Sequence, residues 1–201
     1  MGLRELKKER TRRLISETAQ RLFAERGFDA VRVAEVARAA EVSEATVFNY
    51  FPTKEDLFFA GLDDFGDRLV AAVRDRAPGT SVLAACKGEM LRGNAWLSSV
   101  DAGDPAARER ARTVARVIDG SPALQERERR ALDRISAQLA AELGGSFTAQ
   151  IVAGAIAALH AALIRLSRSL AATGTPGGLA AAARDQATEG FLLLERGFGD
   201  Y

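Results

Sequence analysis

The chain has 201 residues, 47% of them hydrophobic and 27% charged, with a net charge of +1. That balance is ordinary for a globular chain large enough to bury a core, and it excludes a broadly polybasic surface. A lone cysteine, Cys86, excludes a disulfide within the chain and fits a reduced, cytoplasmic setting.

Alanine, leucine, arginine and glutamate dominate, and β-branched runs are short, so helix is expected throughout. The first thirteen residues carry six cations (Arg4, Lys7, Lys8, Arg10, Arg12, Arg13) against Glu5 and Glu9. They have no apolar centre, so they do not read as a signal peptide. Their local excess suits a phosphate backbone, and a solvated, frayed terminus accounts for it equally well.

Helical periodicity begins with Leu14, Ile15, Ala19, Leu22 and Phe23 as one apolar stripe, and Gly27 reads as its C-terminal cap. Val33, Val36, Ala37 and Ala40 mark a short second helix. Ser43 is an N-cap for a third helix that turns Val47 and Phe51 inward and stops at Pro52. Thr53 and Asp56 form a capping-box pair opening a fourth helix through Leu57, Phe58, Leu62, Phe65 and Leu69, closed by Ala77-Pro78-Gly79.

Beyond it, residues 82–100 read as helix. Asp104-Pro105 and Ser121-Pro122 each open another, with proline at the first helical position. Gly144-Gly145 ends the second of these, Ser146 begins a helix reaching about Ala172, and the last runs from Leu179 to about Arg196 after a flexible Thr173–Gly178 connection. The stretch from Ile151 to Ile164, broken by His160, reads as too short to cross a bilayer, and no membrane partner is expected. The fold class is therefore all-α. A junction falls softly within the fourth helix, giving domains at 1–68 and 69–201.

A helix, a Glu41-Val42 turn and a short capped helix have helix-turn-helix dimensions, with the motif at about residues 32–51. Such a second helix must be short and rigidly braced to enter a groove. With Val47 and Phe51 anchoring it, Glu44, Ala45, Thr46, Phe48 and Asn49 face away, where base edges or phosphates could lie. Tyr50 and Lys54 can reach phosphates, and Lys54 lies in the first turn of the fourth helix. A plain helical bundle with all its aromatics in the core is the competing reading.

The segment "LFAERGFDAVRVAEVARAAEVSEATVFNYFPTKEDLF", Leu22 to Phe58, resembles the DNA-binding domain of the TetR family of one-component bacterial regulators, and the resemblance spans about residues 8 to 68. It implies an N-terminal three-helix head and a larger helical domain for ligand binding and dimerisation. Matched by position, it implies a DNA-facing set of Ser43, Glu44, Ala45, Thr46, Phe48, Asn49, Tyr50 and Lys54. The family usually has glycine where Glu41 stands, so positive φ and strain are expected there. It commonly has tyrosine at Phe48, so a phenolic contact is missing. Its usual threonine cap is replaced by Arg32, which is expected to reach a phosphate. Arg112 to Gly144 more weakly resembles the C-terminal domains of actinobacterial regulators described as binding acyl-CoA-like ligands.

The resemblance implies a ligand-responsive homodimer, expected to be a repressor on a palindromic double-stranded operator, released by a small effector that is acyl-CoA-like or otherwise apolar. A helical dimeric interaction module without sequence-specific DNA binding is the alternative. No cofactor and no metal is called for, because no nucleophile, base or ligand cluster is visible and the chain does not read as an enzyme. Candidate effector contacts are Arg92, Trp96, His160 and Arg165, each with a core or solvent-facing alternative. Cys86 reads as a small buried apolar residue rather than a redox sensor. The stripe Ile151–Leu159, with Leu179, Ala183, Ala187, Phe191 and Leu194, suits a four-helix dimer interface or packing within one subunit.

Overall fold

The computed structural model describes residues 2–93, 105–173 and 179–198. Among the described residues there are ten helices and no strand: α1 (Leu3–Arg26), α2 (Val33–Ala39), α3 (Glu44–Tyr50), α4 (Lys54–Phe58), α5 (Ala60–Arg74), α6 (Val82–Gly93), α7 (Pro105–Asp119), α8 (Pro122–Glu142), α9 (Phe147–Thr173) and α10 (Leu179–Phe198). They group into two compact units. One holds residues up to Leu62 together with Arg116–Glu128; the other holds Asp63–Ala115 and Arg129–Tyr201.

In the first unit α1 packs on α2 and α4, and α2 packs on α3. Ile15, Ala19, Leu22 and Phe23 fall at i, i+4, i+7 and i+8 and are buried. Leu14, expected on the same stripe, is instead 47% exposed, because neighbouring helical residues point about 100° apart and Ile15 occupies the inward position. Helix α1 continues back through the basic residues to Leu3. Most of those cations are exposed, while the Arg12 guanidinium lies 5.2 Å from the centre of the Phe51 ring. Phe23, Phe28, Phe58 and Phe59 form a chain of tilted and edge-on rings with centroids 5.2–5.8 Å apart.

The expected single fourth helix is two helices. Its ladder breaks at Phe59, where the Leu62 N–H donates to the Phe59 carbonyl in a three-residue step. The break allows Leu57, Phe59 and Ala60, nearly consecutive, all to be buried in one core. Ile118 and Leu124, from the corner between α7 and α8, are buried in that core as well.

In the second unit α6 packs on α9 and α10, and α9 packs on α10. Two close approaches set its spacing. A Cβ on Gly190 would lie 2.3 Å from Leu159 Cδ1, and one on Gly66 would lie 2.6 Å from Ile135 Cγ1. Ala183, Ala187 and Phe191 are fully buried within the subunit, so this part of the expected dimer stripe packs inside one chain. Leu192 and Leu193 of α10, with Phe147 and Ile151 of α9, remain exposed.

Helix α9 also revises an expectation. By length and composition Phe147–Leu170 is sufficient to cross a bilayer, since the apolar run extends past both ends of Ile151–Ile164. Its Val152, Ala153, Ile156 and Leu163 are buried against protein.

Helix ends follow local chemistry. Gly144 (φ 88) and Gly145 (φ 69) close α8 with N–H bonds to the Ala141 and Ala140 carbonyls. Ser81, Ser121 and Ser146 accept N–H bonds at the starts of α6, α8 and α9.

Candidate nucleic-acid interface

The short helix α3 is held at both ends and from below. The Ser43 hydroxyl accepts the Thr46 N–H at 3.0 Å and lies 2.8 Å from the Thr46 hydroxyl. Val47 is fully buried and Phe51 is 3% exposed. The turn before α3 is a two-bond helix closure. Glu41 N–H donates to the Arg38 carbonyl and Val42 N–H to the Ala37 carbonyl, with Glu41 at φ 55. It is the one non-glycine residue at positive φ among the described residues, and glutamate there carries the strain of a Cβ crowding the carbonyl.

Seven consecutive residues of α3 cannot all face one way. Glu44, Ala45 and Asn49 are exposed, Phe48 is 46% exposed, and Thr46 is half-buried with its hydroxyl engaged by Ser43. Tyr50 is half-buried against the core, so it braces the helix more than it reaches outward. Arg32 is exposed at the start of α2. Its N–H donates to Glu35, whose carboxylate also takes the Arg26 guanidinium at 2.6 Å. The Arg32 N–H and then Arg26 hold the Glu35 carboxyl below its ordinary range.

Lys54 differs most from a freely extended phosphate contact. Its ammonium stands 4.2 Å from the centre of the Phe28 ring and 6.0 Å from that of Phe23. The start of α4 is already occupied by its own capping box. Asp56 Oδ2 accepts from the Thr53 N–H at 3.0 Å, and Asp56 N–H donates to Thr53 Oγ1 at 3.1 Å.

These features together are those of a braced helix-turn-helix, and residues 15–60 match the family described as "Bacterial regulatory proteins, tetR family". That segment of the chain is similar to the DNA-binding part of TetR-family regulators. The chain is similar to the HTH-type transcriptional regulator TcmR of Streptomyces glaucescens, 32% identical over 87 residues, which is 43% of this chain and 38% of that protein. The chain thus matches well under half the length of this curated relative. Two solved structures share its fold along most of their length. Salmonella enterica GusR is 20% identical with a TM-score of 0.53 over 92% of this chain and 93% of that one. NalD, the secondary repressor of the MexAB-OprM multidrug efflux pump in Pseudomonas aeruginosa, is 18% identical with a TM-score of 0.51 over 91% and 94%.

The candidate effector contacts fall in the second unit, except that Trp96 lies outside the described residues. His160 stacks on Phe65 with ring centroids 4.3 Å apart. Its Nε2 is closed off from solvent without a hydrogen-bond partner, and burial pushes the imidazole down to about 4. Arg92 donates through Nε and Nη2 to Glu89 Oε2, while Arg68 Nε donates to Oε1 of the same buried carboxylate. Arg68 also lies 5.7 Å from the Phe65 ring centre, so His160, Phe65, Arg68, Glu89 and Arg92 form a contact chain. Arg165 is exposed. Cys86 is fully buried, and desolvation pushes its thiol up to about 12.

Sequence reading placed Phe65 on an apolar stripe without its His160 contact and missed Arg68 and Glu89, because their significance lies in contacts between separate helices. Glu89 stands at i+7 from Val82 and i+3 from Cys86, on the apolar side of α6, and that spacing was the signal available for it.

Proposed function

We propose that the chain is a DNA-binding transcriptional regulator that acts in the cytoplasm as a homodimer, and that its activity is repression. The observation that carries this reading is the braced α3, with Val47 and Phe51 locked inward and Glu44, Ala45, Phe48 and Asn49 on its open side. In two copies related by a two-fold axis, two such helices would enter successive major grooves of a palindromic site, about 34–36 Å apart. Ala45 admits close backbone approach, Asn49 and Thr46 supply hydrogen-bonding groups, and Arg32, with Lys54 once its ammonium leaves the Phe28 ring, supplies charge for phosphates. Helices α9 and α10 leave Phe147 77%, Leu193 62%, Leu192 46% and Ile151 43% exposed, which supports self-association through them.

The second unit is proposed to take a small effector, acyl-CoA-like or otherwise apolar, with His160 and Arg92 among its contacts. Such a molecule releases DNA only through unequal affinity for the bound and free states of the protein.

Selection of genomic fragments by the full-length protein, followed by footprinting, tests the reading. Enrichment of an inverted repeat protected on both halves is the expected result. Asn49→Ala should then relax preference at particular base pairs in a repeated selection. Recovery of fragments with no shared sequence would favour a helical interaction module without sequence-specific binding.

A further inference from the structure

The corner between α7 and α8 is stapled by its own bonds. Gln125 Nε2 donates to the Ile118 and Asp119 carbonyls, and Ser121 caps the Leu124 N–H. Ile118 and Leu124 are buried, which seats the corner in the same core as α4. From this fixed base Arg127 reaches α4, seventy-one residues earlier in the chain. Its Nε donates to Asp56 Oδ1 at 2.6 Å, and its guanidinium lies 5.8 Å from the Phe59 ring centre. The two side chains are only 10% and 22% exposed.

Asp56 therefore serves two partners. One oxygen closes the capping box with Thr53 and the other takes Arg127. Helix α4 has five residues, too few to hold its own shape. A single guanidinium grips it at its start, through Asp56, and just beyond its end, over Phe59. Burial raises the Asp56 carboxyl, but bonds from Arg127 and Thr53 outweigh it and leave the group below its ordinary value.

We infer that Arg127 is a positioning residue for the helix-turn-helix unit, setting where α4 lies against α1 through Asp56 and Phe59. The inference rests on the proposed function only where DNA is the readout. Withdrawing Arg127 leaves a partly buried carboxylate without its cation, so α4 shifts or frays while α3 keeps its own cap and core anchors. Lysine keeps the charge but lacks the planar fork that bonds Asp56 while covering a ring.

The test uses full-length Arg127→Met, Arg127→Lys, Asp56→Asn and the double variant Asp56→Asn/Arg127→Met. Amide hydrogen exchange is read at residues 53–59 and, as a reference, 152–163, in the absence of DNA. In Arg127→Met, exchange at 53–59 should rise at least about tenfold with the reference unchanged. Arg127→Lys should fall between it and the parent. The double variant should be no worse than Arg127→Met, because the two groups act as one unit. Affinity for the selected DNA should fall at least about tenfold in Arg127→Met and recover in part with lysine. Unchanged exchange at 53–59, an equal rise in both regions, or faster exchange with unaltered DNA affinity each overturns the inference. Should the parent select no DNA, the proposed function fails by itself, and exchange at 53–59 still decides whether Arg127 holds α4.

Discussion

Glu41 is where a single side chain works against the backbone it sits on. Its φ of 55 is required by the closure that ends α2, and the left-handed region costs a residue with a Cβ about 1–2 kcal/mol. Glycine removes that strain but loses about 0.5–1 kcal/mol more chain entropy on folding. Glu41→Gly should therefore stabilise the protein by about 0.5–1 kcal/mol, seen as a higher urea midpoint at constant slope. A lower midpoint would mean that the carboxylate does something the backbone geometry does not reveal.

His160 makes an opposite demand, for a neutral ring. Its folded-state value of about 4 lies below the ordinary 6.5, because burial penalises the imidazolium. Below pH 6.5 the unfolded chain takes up a proton that the folded chain refuses, so stability falls as pH drops from 6.5 toward 4 and is unaffected above that window. The loss should reach about 1 kcal/mol near pH 5.5. His160→Leu should lack this component when urea unfolding is compared at pH 7 and 5.5. Equal pH dependence in the two proteins would place the protonation elsewhere.

Among the helices, glycine spacing decides packing. Helix α10 approaches α9 so closely at Gly190 that a methyl group would meet Leu159 at 2.3 Å. The clashing atom is the far end of a half-buried leucine side chain that can turn aside, so Gly190→Ala should destabilise by about 1 kcal/mol, the low end for overpacking. Pairing it with Leu159→Ala should cost less than the sum of the two single changes. Additivity, measured in a double-mutant cycle by urea unfolding, would show that the helices part without strain. The break between α4 and α5 is another such decision. Apolar spacing is continuous from Leu57 to Leu69 and suggests one helix, yet burial of both Leu57 and Phe59 requires the chain to turn at Phe59.

For the whole molecule, self-association is the property most open to test. Exposed Leu193 lies beside Leu192 on α10. If α9 and α10 form the proposed contact, Leu193→Glu should weaken dimerisation at least about a hundredfold, since the leucine is lost from both copies. Sedimentation should then report monomer at micromolar protein with unchanged helical content. An undiminished dimer would move the interface away from this face.

Much of this protein was legible in the residues. Ser43, Thr53 and Ser146 as caps, proline at the first position of α7 and α8, and paired glycines after α8 determine where helices begin and end, because the groups that satisfy terminal N–H and C=O lie within a few residues. The periodicity around Val47 and Phe51 likewise determined which side of α3 is anchored, and the resemblance to a family with glycine at Glu41 implied the strain there. Only the tertiary structure decided that residues 116–128 complete the first core, that Arg127 pairs with Asp56, that Lys54 covers Phe28, and that Ala183, Ala187 and Phe191 are spent inside one subunit. Caps and periodicity are short-range and write themselves into neighbouring residues. An ion pair seventy-one residues apart, or the choice between an internal and an external partner for an apolar stripe, is set by where whole helices come to rest.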